Sequence, residues 1–461
     1  MWKKLLITGC VTFSLLSGGT LSAQPSCEIK EEVTSEQLDR TQKELVAMMK
    51  ELKNDSYFQT ELDKAAVQSS LSKRMAAYKD LTVRLLSVLE IQAELEWMKP
   101  EAIQEALGIM KKSSGFDAVL ADKRFGELKS LLAGGFDGIY TGDAQAIDKA
   151  NKTLTLKRKL MLMSPDVNVD KMLTVKFDLG ERANFVGAGS LGIQPNNWST
   201  LSSASRKNFK AQLVELSGLQ SGELSEKVLY KPAVDGSSVT DLVLNWDGKR
   251  LMFTALDTTR RWQVHELDIN NGEAKQVTNI PEPDLEFFDG TYLPDGRMLA
   301  ISNIGYQGVP CVNGSDAVGN MVLYDPSNGY LRRLTFDQDA NWHPVVMANG
   351  KVMYVRWEYT DLTHYFSRIV MHMNPDGTEQ KSLYGSGSMF PNSIFDVQPL
   401  PKHTNRFVGV ISGHHGVARS GRLMIFDPAK SRKEEKGMIQ ELPFRGRPII
   451  PEVKDELVNG V

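Results

Sequence analysis

Apolar and polar positions follow two different periods along this chain. From Val33 to Lys53, Leu38, Leu45, Met48, Met49 and Leu52 recur near a 3.6-residue period with Glu and Lys between them, which predicts an amphipathic helix. Thr34 stands at the N-cap position and Gln37 three residues on, the layout of a capping box. A second helical pattern runs from about Leu62 to Trp97, with Leu81, Leu85, Leu86 and Leu89 on one face. Lys99-Pro100-Glu101 ends it, and Pro100 suits the first turn of a following helix. Shorter helical patterns continue to about Lys159, interrupted at Gly134-Gly135. This region reads as a packing or dimerisation domain without chemistry of its own.

From about Asp170 the period drops to strands of 4–7 residues divided by turn signals. One apolar strand ending in a polar turn residue recurs as Leu213–Ser217, Val264–Asp268, Met321–Asp325, Ile369–Asn374 and Leu423–Asp427. The spacings between Ser217, Asp268, Asp325, Asn374 and Asp427 are 51, 57, 49 and 53 residues. A second turn precedes three of these copies: Trp246-Asp247-Gly248, Pro294-Asp295-Gly296 and Ala348-Asn349-Gly350. Asp-Gly and Asn-Gly favour tight hairpins in which both residues tolerate positive φ. Two hairpins per repeat make a four-stranded antiparallel sheet, which must pack on its neighbours to bury both faces. The expected fold is mostly β: a β-propeller over residues 170–461, preceded by an α-helical region over 24–165. Five blades are visible. Pro448–Val461 reads as the lead-in to another blade, so either five blades close or the chain is a C-terminally incomplete member of a six-bladed ring.

The N-terminus carries a different signal. Trp2-Lys3-Lys4 is followed by the apolar, small-residue run Leu5–Leu21 and by Leu21-Ser22-Ala23, the layout of a cleavable secretory signal peptide over residues 1–23. Ile7-Thr8-Gly9-Cys10 resembles a lipobox, but most of the apolar run follows Cys10, so cleavage near Ala23 is expected rather than lipid anchoring. The mature chain is expected in the periplasm or outside the cell, with no transmembrane span, since no other stretch reaches the roughly 18 apolar residues a spanning helix requires. The formal net charge is −3, with Lys and Arg scattered, which speaks against a nucleic-acid partner. Cys27 and Cys311 remain after cleavage, too few for a disulfide framework.

Candidate chemistry concentrates in three loops. Phe336–Pro344 and Tyr354–Arg368 are denser in polar and aromatic residues than strand packing needs, and offer Asp339, Trp342, His343, Arg356, Glu358, Asp361 and His364 for a ligand or metal pocket. The competing reading has Arg356 or Arg368 paired with a carboxylate and Trp342 and Trp357 packed between blades. Ser412–Gly421 brings His414, His415 and Arg419, where imidazoles could hold a metal and Arg419 an anion. Gly308–Gly314 carries Cys311, a soft ligand as thiolate. Cys311, His343, His414 and His415 are thus the metal candidates, with zinc the candidate ion. There is no C-x-x-C-H haem-attachment motif, nucleophile elbow, P-loop or dinucleotide fingerprint.

Asn341-Trp342-His343-Pro344, Arg356–Asp361, Met373–Thr378, Pro391-Asn392-Ser393 and Ser412–Gly416 together resemble the propeller of the hydrazine synthase alpha subunit's middle domain, a WD40-like and TolB-like repeat family. The resemblance covers roughly residues 170–461. In that enzyme the propeller lies beside c-type haem domains and a zinc ion, and a propeller cysteine serves as a ligand. The resemblance would place Cys311 in that role. Without a haem-attachment motif, covalent haem and hydrazine synthesis are not expected here. The chain is expected to be an exported module that binds a protein or small-molecule ligand and is not independently catalytic. The alternative is a fragment of a metal- or haem-associated oxidoreductase related to the hydrazine synthase alpha subunit, and a third reading, a glycan-binding or glycan-processing propeller, rests on surface aromatics such as Trp342, Trp357 and Tyr359.

Overall fold

The computed structural model describes residues 33–167, 169–178, 200–201, 206–207, 210–221, 223–310, 313–357, 368–387, 390–391, 393–401, 403–412 and 422–442. The first part is helical: α1 (Ser35–Met49), α2 (Ser56–Ala66), α3 (Leu71–Glu96), α4 (Pro100–Met110), α5 (Ala118–Ala133) and α6 (Ala144–Met161). The capping box forms as its residues dictate. The Thr34 hydroxyl accepts from the Gln37 amide at 3.2 Å, and the Gln37 side chain accepts from the Thr34 amide at 2.9 Å. Pro100 opens α4, and α5 stops just before Gly134. The single helix expected from Leu62 to Trp97 is two. The chain breaks at Val67–Ser70, where the Ser70 hydroxyl caps α3 by accepting from the Lys73 amide at 3.2 Å. Ser69-Ser70 offers the backbone a local hydrogen bond in place of a helical one, and that outweighs the apolar period.

The helices bury two cores. Leu45, Met49, Phe58, Leu62, Tyr78, Leu81 and Leu85 pack α1 and α2 onto α3. Ile103, Leu107, Phe125, Leu128 and Leu160 join α4, α5 and α6. Among the described residues no helix is long and apolar enough to cross a membrane.

The second part is β structure in five antiparallel groups. The first has three strands: β1 (Lys171–Asp178), β2 (Lys210–Ser217) and β3 (Ser225–Tyr230). The second is β4 (Val239–Leu244), β5 (Arg250–Leu256), β6 (Trp262–Asp268) and β7 (Ala274–Gln276). The third is β8 (Phe287–Tyr292), β9 (Met298–Ser302), β10 (Asn320–Asp325) and β11 (Tyr330–Arg333). The fourth is β12 (Asn341–Val346), β13 (Val352–Trp357), β14 (Arg368–Met373) and β15 (Lys381–Tyr384). The fifth is β16 (Ser393–Pro399), β17 (Phe407–Ser412), β18 (Arg422–Phe426) and β19 (Met438–Leu442), tied to the fourth by one parallel bridge, Arg368 with Ser393.

Every repeated element read from the sequence lands on the same place in its group: β2, β6, β10, β14 and β18. The recurring acid there has a local job. Asp268, Asp325 and Asp427 each accept, through the side chain, the amide two residues on, at 2.8–3.0 Å. The inner turns are wider than the tight hairpins expected. Asn245 N–H reaches Arg250 C=O at 2.8 Å, and only the glycines take positive φ, at 66° for Gly248, 90° for Gly296 and 80° for Gly350. The Asp247 carboxylate satisfies the Lys249 amide at 2.8 Å, so the acid supports a four-residue loop and does not itself adopt the left-handed conformation.

Successive groups pack face to face, and side-chain alternation decides which face meets which neighbour. Leu251 and Phe253 of β5 join Leu213 and Leu229 of the first group, while Met252 between them joins Phe287 and Met298 of the third. Leu299 and Ile301 meet Val352 and Tyr354, and Met353 and Val355 meet Ile394 and Phe395. Four-stranded meanders stacked in chain order, with first strands β4, β8, β12 and β16 side by side, are a β-propeller-like arrangement.

Candidate functional site

The meander order puts specified connections at one end of every group: those between second and third strands, and those leading into first strands. Two of the described candidates lie there. Asp339 precedes β12, and Arg356 is next to last in β13. In sequence, Cys311 belongs to the β9–β10 connection, Glu358, Asp361 and His364 to β13–β14, and His414, His415 and Arg419 to β17–β18. These seven residues lie outside the described residues, as do Cys27, Tyr359, residues 1–23 and Pro448–Val461.

The same end holds a constellation that the sequence reading touched only at His343. Each first strand carries a β-bulge, with register shifts at Thr240/Val243, Phe288/Thr291, Trp342/Val345 and Phe395/Gln398. Within each bulge one non-glycine residue adopts the left-handed conformation: Asp241 (φ 56°), Asp289 (53°), His343 (54°) and Asp396 (50°). That conformation costs about 1–2 kcal/mol for a residue with a Cβ, and Asp and His tolerate it better than most. Such strain collects at sites where a structure re-aims a side chain.

The four bulges are linked from group to group. The Asp289 amide donates to Asp241 Oδ2 at 3.1 Å and lies 3.2 Å from Thr254 Oγ1. The His343 amide donates to Asp289 Oδ2 at 2.5 Å. The His343 ring lies between two carboxylates, with Nδ1 3.4 Å from Asp289 Oδ2 and Nε2 3.5 Å from Asp396 Oδ1. Phe395 meets the imidazole edge to face at 6.3 Å. Asp289 and His343 are largely buried, whereas the Asp396 side chain is 52% exposed and forms the open side of the cluster. Burial pushes the Asp241 carboxyl up to about 6, and the neighbouring Asp289 charge pushes the same way. Hydrogen bonds from Thr254 and Thr240 and the charge of His343 offset part of that rise.

The other described candidates lie apart from this cluster in buried or paired positions. Trp342 is buried, 6.4 Å from Trp357 and 5.9 Å from Phe395 between ring centroids. Both tryptophans lie in the core and not on the surface, which removes them from the glycan-binding reading: a strand covered on both faces has no solvent side to give them. Arg356 pairs with Asp337 at 3.1 Å, and Asp339 is buried. Among the described residues no three His, Cys, Asp or Glu side chains form a group that could hold a metal ion. Of the four metal candidates only His343 is described, and its ring lies between the Asp289 and Asp396 carboxylates.

A second polar cluster at this end was not anticipated. Arg206 grips Glu286 with both guanidinium nitrogens, at 2.8 and 3.0 Å, and Trp262 N–H donates to the same carboxylate at 3.2 Å. Burial pushes the Glu286 carboxyl up against the opposing pull of Arg206. Arg206 and Arg260 exchange guanidinium-to-carbonyl hydrogen bonds at 2.9 and 2.8 Å, fastening residues 206–207 across the β5–β6 turn.

The geometry defines a β-propeller-like chain with a polar cluster where its first strands meet. Solved structures that it resembles are propeller proteins. Hydrazine synthase from Kuenenia stuttgartiensis matches with 13% identity and a TM-score of 0.43, over 60% of this chain and 39% of that one. TolB from Acinetobacter baumannii matches with 18% identity and a TM-score of 0.30, over 47% of this chain and 46% of that one. A chain of a nidogen/laminin complex matches with 13% identity and a TM-score of 0.34, over 48% and 72%. The chain therefore spans less than half the length of the hydrazine synthase and TolB chains. No family model matches the chain, and no curated protein does. The hydrazine synthase and TolB-like resemblance read from the motifs recurs in the structure as a likeness of fold.

Proposed function

We propose that this protein is an exported, periplasmic propeller that binds a small-molecule or protein ligand at the loop-bearing end and does not catalyse a reaction alone. The observation that carries this reading is the convergence of Asp241, Asp289, His343 and Asp396 through four successive strained bulges. Three carboxylates against one imidazole favour a ligand that presents an ammonium or guanidinium group. Asp396 is the half-exposed member and makes first contact.

The test compares wild type with Asp396→Lys and with Lys275→Glu, a charge change on β7, away from the cluster. Each protein is incubated with a periplasmic extract, and captured proteins and small molecules are quantified by mass spectrometry. Species lost with Asp396→Lys and retained with Lys275→Glu support the reading. Identical profiles from all three proteins refute it.

A further inference from the structure

Strand register repeats a charge pair in the first two groups. Glu215 of β2 stands opposite Lys227 of β3, and Lys171 reaches its carboxylate at 3.1 Å. Glu266 of β6 stands opposite Lys275 of β7, whose ammonium lies 3.4 Å away, and Arg250 lies 3.4 Å from the same carboxylate. An acid opposite a lysine is a favourable cross-strand pair. Counted back two positions from Ser217, Asp268, Asp325, Asn374 and Asp427, the repeat places Glu215, Glu266, Leu323, His372 and Ile425 at equivalent sites. The third and fifth groups are apolar there. The fourth keeps a lysine, Lys381 of β15, but sets His372 of β14 opposite it in place of the acid.

Exchanging the acid for an imidazole leaves cations facing one another. Burial pushes the His372 imidazole below its ordinary range, and Lys351, Arg432 and Lys381 push the same way. Lys351 comes from the turn before β13 and Lys381 from β15. Arg432 comes from the β18–β19 connection, which the Gly385 amide fastens beyond the end of β15 by donating to the Arg432 carbonyl at 2.8 Å. Among the described residues the carboxylate set against these three cations is Glu379, and Lys351 already holds it at 2.9 Å. Glu434 and Glu435, on the same connection as Arg432, bear on Tyr384 instead. His372 and Lys351 are partly covered and form the base of the cluster, while Lys381 and Arg432 are exposed and form its rim. Like charges on opposed strand positions are destabilising, so the arrangement favours an added anion.

We propose that the seam between the fourth and fifth groups binds a tetrahedral oxyanion, a phosphate or sulfate group, on Lys351, His372, Lys381 and Arg432. The ligand supplies there the negative charge that Glu215 and Glu266 supply in the first two groups. The Arg432 guanidinium offers a planar fork of donors and the two lysines offer point charges, a set that suits a phosphate or sulfate oxygen. The bound charge offsets the repulsion at His372. Anion and imidazole proton therefore favour each other, and affinity rises as pH falls into the imidazole range.

This site lies at the turn-bearing end, away from the bulge cluster, so the capture experiment above can fail without affecting it. Histidine-labelled mature chain is titrated by NMR in sodium sulfate and in sodium chloride of equal ionic strength, with the His372 signal assigned from His372→Gln. Sulfate is expected to raise the His372 midpoint by about one pH unit over chloride, which corresponds to about tenfold tighter binding to the protonated form. The His265 signal should not move. Lys381→Gln should remove most of the rise, and Lys275→Gln, at the matching place in the second group, should leave it intact. Dissociation constants for inorganic phosphate and for glycerol 3-phosphate, read from the same signal at one pH, distinguish the two sources of the anion. Tighter binding of the ester supports a group carried on a larger molecule, and equal or weaker binding supports the free ion. A His372 midpoint no higher in sulfate than in chloride, or the same rise in Lys381→Gln, would overturn the proposal.

Discussion

Replacing Asp241 by Asn should make the protein more stable at neutral pH, although Asp241 stands among the most highly bonded residues of the cluster. Its carboxyl titrates at about 6 against an ordinary 3.8, because burial and the Asp289 charge disfavour the ionised form. Two units at about 1.36 kcal/mol each put the cost of ionising it in the fold near 3 kcal/mol above pH 6. Asn keeps an oxygen for the Asp289 amide, which sits 3.1 Å from Oδ2, and it tolerates the left-handed backbone. Exchanging a charge-assisted acceptor for a neutral one loses about 1 kcal/mol, leaving a net gain of about 1–2 kcal/mol. The sign with pH follows from proton binding. Between about 4 and 6 the folded carboxyl holds its proton more tightly than the unfolded one, so its contribution to stability falls as pH rises through that window and is constant above it. The difference between variant and wild type should therefore rise from a slight deficit near pH 4 to the net gain, reached as a plateau above pH 6. Urea unfolding followed by tryptophan fluorescence at pH 4, 5, 6, 7 and 8 measures it. A variant less stable than wild type at pH 7, or a difference independent of pH, would refute the reasoning.

Trp342→Ala should cost about 3–5 kcal/mol in urea unfolding, because the ring fills the space between Trp357 and Phe395 and its removal leaves a cavity across two sheets. Glu286→Ala should cost about 2–3 kcal/mol, since the Arg206 guanidinium and the Trp262 amide lose a buried acceptor; Glu286→Gln, which keeps an oxygen, should recover part of it. Faster hydrogen exchange at residues 206–207 in the alanine variant checks the same pair. Thr34→Ala should weaken α1 by about 1 kcal/mol, seen as faster amide exchange in its first turn with the sheets unaffected.

The repeat was legible because turn chemistry is local. Gly248, Gly296 and Gly350 mark three inner turns, and Asp268, Asp325 and Asp427 mark three outer ones, wherever the sheets sit in space. Counting back seven positions from those glycines reaches Asp241, Asp289 and His343, so three of the four cluster residues stood in register in the sequence. What concealed them is the bulge. An acid in the middle of an apolar strand reads as a break in alternation, and only contact between neighbouring sheets shows that the break turns the side chain toward the next bulge's amide. Asp396 escapes the count because the matching position downstream is His403, not glycine. Trp342 misled in the opposite way, since aromatic density beside His343 looks the same whether the strand faces solvent or a second sheet.

The cluster itself shows why the two kinds of signal diverge. Asn would serve as bulge acceptor at Asp241 without the ionisation cost, and glycine would adopt the left-handed backbone without strain. A chain selected for stability alone would use them. Retaining three carboxylates and an imidazole at the four positions trades stability for charge, and it is this charge that the proposed ligand-binding role would use.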